Sequence, residues 1–141
     1  MSGGAFDYHQ YFIGDMIDEI EQRILRAGQK IPRVTHERDD YYSWRYGEDI
    51  PEEFYTDYSP KTIAIMKRAI YVLRMAFIYA QRIDWMLSGD DGEDDLVERL
   101  AEELAELKRK YPSGRYTYKK KNIRFDEDCE RYVDTTENND P

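Results

Sequence analysis

Between Phe6 and Ala27 the apolar residues Ile13, Met16, Ile17, Ile20, Ile24 and Leu25 recur at steps of three and four, which lines one face of a helix. The opposite side carries Asp15, Asp18, Glu19, Glu21, Gln22 and Arg23. Gly28 stands where a helix-ending glycine would stand and Pro32 bars continuation, so the pattern predicts a first helix ending near Ala27.

The strongest start signal comes later. Ser59 can accept hydrogen bonds from free backbone amides and Pro60 suits a first helical turn, so a second helix is predicted from Pro60 to about Leu87. Ile63, Met66, Ala69, Ile70, Leu73, Ala76, Phe77, Ala80, Ile83 and Leu87 form its broad apolar face. Ile65, Val72, Ile78 and Trp85 carry hydrophobicity around much of the rest. Such a helix belongs at the centre, packed on more than one side.

A third helix follows Ser88-Gly89-Asp90-Asp91-Gly92, with Leu96, Leu100, Leu104, Leu107 and Tyr111 at helical spacing. Its acids Asp94, Asp95 and Glu98 come early and Lys108, Arg109 and Lys110 late, as the helix dipole favours. Pro112 and Gly114 stop it. From Arg115 to Phe125 the pattern alternates in part, which fits a short strand or an extended arm.

Between the first two helices, Gln29 to Tyr58 shows no sustained period but holds Tyr41, Tyr42, Trp44, Tyr46, Phe54, Tyr55 and Tyr58. Flexible linkers are poor in aromatic residues, so this is expected to be an ordered connector or short hairpin that lies across the helices. The fold class expected is mainly α: a three-helix core, the aromatic connector, and a C-terminal strand or arm. One helical domain is placed at 1–125. Residues 126–141 hold seven acids and one arginine and are expected to fray into solvent.

At 141 residues, with 40% apolar and 14% aromatic content, the chain has enough hydrophobic material for one core. Thirty Asp and Glu against 21 Lys and Arg leave a net charge of −9. That disfavours direct nucleic-acid or anionic-membrane binding and points to a partner protein with a basic surface. The longest apolar stretch, Ala69 to Leu87, is broken by Arg74, Gln81, Arg82 and Asp84, so no membrane span is expected. Met1 to Tyr8 lacks the basic and apolar segments of a secretory signal, and the expected location is the cytoplasm. The apolar circumference of the second helix leaves room for a homodimer.

Sites for known chemistries are sparse. Cys129 has no second cysteine to bridge to and stands among acids that would raise a thiol pKa. His9 and His36 lie in different segments with no zinc-type spacing, and no phosphate-cradling glycine loop occurs. Neither a metal, a cofactor nor a catalytic residue is expected. Five carboxylates fall between Asp90 and Asp95: they cap the third helix and complement its dipole, or they meet a cation or a basic partner. The string does not reproduce a calcium-loop spacing. Tyr41, Tyr42, Trp44 and Tyr46 with Arg82 form an alternative site, where a nucleotide-like anion would stack on rings and meet a guanidinium.

Met1-Ser2-Gly3-Gly4 with Phe6-Asp7-Tyr8, then Tyr79 to Trp85 and Ser88-Gly89-Asp90-Asp91-Gly92-Glu93, resembles a family of small uncharacterised proteins from bacteria and their phages. The likeness covers about half the chain and implies a compact helical domain from a prokaryotic cell or a phage-infected host. It brings no catalytic residues. It also implies the company of small acidic phage proteins that inhibit host enzymes or defence systems, some by presenting carboxylates where nucleic-acid phosphates would sit. Residues expected to carry such a contact are Asp90, Asp91, Glu93, Asp94, Asp95, Glu98, Glu102 and Glu106.

Overall fold

A computed structural model describes residues 4–31, 53–118 and 123–134. Three helices, α1 (Tyr11–Arg26), α2 (Pro60–Leu87) and α3 (Glu93–Lys110), are followed by strands β1 (Ile123–Asp126) and β2 (Arg131–Asp134). The chain is therefore mainly helical, with a small antiparallel sheet near its C-terminal end. None of these helices is long and apolar enough to cross a membrane.

Helix α2 lies between the other two. Its start is the expected one: Ser59 Oγ accepts the Thr62 amide at 3.2 Å and Pro60 opens the first turn. Ile70, at mid-helix, is fully buried among Ile17, Ile24, Leu25, Leu107, Tyr111, Tyr116 and Tyr132. The expectation of packing on more than one side holds on two sides. A third face remains open, with Ile65, Val72, Tyr79 and Leu87 exposed.

Helix α1 buries Ile17, Ile24 and Leu25, while Met16, placed on the same stripe by spacing, is exposed. The helix ends at Arg26, and Gly28 takes the left-handed conformation expected of a terminating glycine (φ +73°). Beyond it the two ends of the aromatic connector pair. Ile31 N–H donates to Glu53 O at 2.8 Å and Tyr55 N–H to Gln29 O at 2.9 Å, with Lys30 bridging Phe54.

After α3 the chain doubles back over α2: the Tyr116 amide donates to Lys67 O at 3.0 Å, and Arg68 donates to Gly114 O at 2.6 Å. Tyr111, Tyr116 and Tyr118 line this return with ring contacts of 6.0 and 5.8 Å. Strands β1 and β2 then pair with Phe125 opposite Tyr132. The boundary drawn by composition at residue 125 thus falls inside a strand, and the stretch expected to fray contributes to the core. Its anchor is Tyr132, only 6% exposed. The Gln22 amide donates to Tyr132 O and accepts from Tyr132 N–H at 2.8 Å, so one side chain of α1 completes the edge of β2 as a third strand would. Residues 135–141 and the lysines at 119–121 lie outside the described residues.

Candidate functional site

The acids marked by sequence separate into two groups. Asp91 turns inward. Its carboxylate is 7% exposed and sits 3.5 Å from Arg82 Nη1 and 3.2 Å from Arg99 Nη1. Arg82, equally buried, also reaches Glu103 at 3.4 Å and lies over Trp85, 4.1 Å from the ring centroid. The turn is closed by Trp85 O, which accepts the amides of Asp90 and Asp91 at 2.9 and 3.2 Å. Two cations thus balance two anions in a clamp that fixes the α2–α3 angle. Neither Asp90 nor Asp91 caps α3. Gly92 holds that position, and the Asp95 carboxylate accepts its N–H at 3.3 Å.

The remaining acids face outward. Asp90, Glu93, Asp94, Asp95, Glu98, Glu102 and Glu106 are all exposed. Asp94, Glu98, Glu102 and Glu106 follow one another at steps of four, so they share a single ridge with carboxylates about 6 Å apart along the axis. Among the described residues none of these four has an ion-pair partner. The only basic side chain that α3 contributes before its last turn is Arg99, which is taken up by Asp91.

Behind the clamp lies a second buried polar group that periodicity did not single out as a site. Asp84, 1% exposed, accepts the Phe6 amide at 3.1 Å and Gln10 Nε2 at 3.2 Å, and Gln10 also donates to Gln81 Oε1 at 3.0 Å. Ala5 N–H meets Ser88 Oγ at 3.0 Å. A Cβ at Gly4 would come within 2.6 Å of Asp84 Oδ1, so the N-terminal turn reaches the carboxylate only because residue 4 has no side chain. Asp7 and Tyr8 hold left-handed conformations (φ 52° and 62°) there, a strain of about 1–3 kcal/mol each that the Asp84 contacts offset. The sequence signal for this cluster was the interruption of an apolar helix by Gln81, Arg82 and Asp84. The N-terminal turn, the end of α2 and the α2–α3 turn therefore meet at one end of the molecule.

Of the alternative anion site, Tyr41, Tyr42, Trp44 and Tyr46 lie outside the described residues, and Arg82 is committed to Asp91 and Glu103. A cleft of about 670 Å³ opens at the other end of α2, between Leu25, Gly28, Asp57, Ile63 and Tyr118, and among the described residues no lysine or arginine lines it. Among the described residues no three histidines, thiols or carboxylates come close enough to share a metal ion. Compared with protein-family models, curated proteins and solved structures, the chain matches none.

Proposed function

We propose that the chain is a non-enzymatic interaction protein that occupies a basic, nucleic-acid-binding surface of another protein through the outer ridge of α3. It would act in the cytoplasm of a prokaryotic cell as a phage-encoded inhibitor of a host or defence factor. The observation that carries this reading is the ridge itself: Asp94, Glu98, Glu102 and Glu106, exposed on one helix and, among the described residues, without ion-pair partners. Their rise of about 6 Å per step along the helix axis is close to the roughly 6.8 Å of duplex axis that two phosphates of one DNA strand occupy, at about 3.4 Å each. Like charges at steps of four cost a helix about 0.2–0.5 kcal/mol per pair, a penalty that a contact with a cationic cleft removes. Asp91 is no part of the contact, because Arg82 and Arg99 already neutralise it.

Immobilised protein exposed to extract of its native cells should retain a basic protein that duplex DNA or heparin releases competitively. Retention that persists against excess polyanion would contradict occupation of a nucleic-acid surface.

A further inference from the structure

The face of α2 that neither α1 nor α3 covers is apolar along most of its length. Ile65, Val72, Tyr79 and Leu87 are 63%, 45%, 42% and 58% exposed, and Ala76 between them is exposed as well. Ile65, Val72 and Tyr79 are seven residues apart, and Ala69, Ala76 and Ile83 follow each of them by four. This is the alternation of a two-helix seam, with the small Ala69 and Ala76 on the row that the second helix approaches and Ile83 completing that row. From Ile65 to Leu87 the strip runs about 33 Å. Its ends differ in charge: Lys61 and Arg68 are exposed at the N-terminal end, and Asp90, Glu93 and Asp94 just past the C-terminal end.

We propose that this face is the two-fold interface of a homodimer in which α2 packs antiparallel against the α2 of a second copy, with Ala76 on the axis. That axis sets Ile65 against the second copy's Leu87 and Ala69 against its Ile83, so apolar residues face one another along the strip. It also brings Lys61 of each copy beside the exposed Asp90 of the other. Parallel packing would instead stack Lys61 on Lys61 and acid on acid. Two strips of this length and one helix diameter in width cover roughly 650–800 Å². That is below the size of a permanent interface, so the dimer is weak and dissociates on dilution. The inference is independent of the acidic-ridge reading, because the ridge lies on α3 and stays intact in a monomer.

The test uses the full chain with Cys129→Ser and single cysteines under mild oxidation. Ala76→Cys should form a disulfide-linked dimer far faster than Glu102→Cys on the outer side of α3, since antiparallel helices bring Cα atoms on the axis within bonding range. Ile65→Cys should link to Leu87→Cys in a mixture and much less to itself. Light scattering should give twice the mass of one chain, falling to one in Val72→Asp/Tyr79→Asp with an unchanged helical spectrum. Ala76→Cys linking no faster than Glu102→Cys, or a single-chain mass at the linking concentration, would overturn the dimer. Faster self-linking of Ile65→Cys would overturn the antiparallel arrangement.

Discussion

Arg82 and Asp84 are two residues apart on α2, and each settles one attachment. Arg82 ties the α2–α3 turn through Asp91 and Glu103, and Asp84 ties down the N-terminal turn through Phe6 and Gln10. Removing one partner of a buried pair strands the other charge, so Arg82→Ala should lower unfolding free energy by about 3 kcal/mol. In urea titrations Arg82→Ala/Asp91→Ala should lose clearly less than the sum of the single variants; additive losses would dissolve the clamp. At Asp84 an asparagine turns one oxygen into a donor facing the Gln10 amide. Asp84→Asn and Gly4→Ala should therefore both accelerate hydrogen exchange at the Phe6 amide, with little change at amides in the middle of α2. The sequence showed these polar residues as interruptions of an apolar helix. Their partners were not legible, because a hydrogen bond across 78 residues leaves no local pattern.

Among the elements, the three helices were readable because each carries its own start signal, stop signal or apolar stripe. Of the hairpin only the first strand was, as the short C-terminal strand expected up to Phe125; the second was not. The hairpin's strands have four residues each, and acids dominate the composition around one buried tyrosine. Tyr132→Ala should cost about 3 kcal/mol and loosen β2 from α1. Burial also pushes the Tyr118 and Tyr132 phenols above their ordinary pKa. The folded chain holds these protons more tightly than the unfolded chain, so their contribution is complete below the unfolded value of about 10 and fades as pH rises past it. Urea titrations from about pH 9 to about pH 11 should show that fall, and Tyr118→Phe/Tyr132→Phe should flatten it. On α3, Glu98→Gln/Glu102→Gln relieves like-charge pairs and should raise stability by about 0.5–1 kcal/mol while weakening partner capture. Destabilisation by that change would mean the acids serve the fold instead.

For the whole molecule, the net charge of −9 and the position of the acids were visible in the sequence, but their division was not. Asp91 and Asp94 look alike in a string of acids, and only the fold turns one toward Arg82 and the other toward solvent. In the proposed contact, position rather than total charge decides binding. Reversal of Glu98, Glu102 and Glu106 to lysine changes net charge as much as reversal of Glu127, Asp128 and Glu130, which are equally exposed but lie in the hairpin turn. The direct measurement is capture of the native partner by these two variants side by side, with folding checked by circular dichroism. Loss of capture by the α3 variant alone is the predicted result; equal loss by both, or no loss by either, would contradict it.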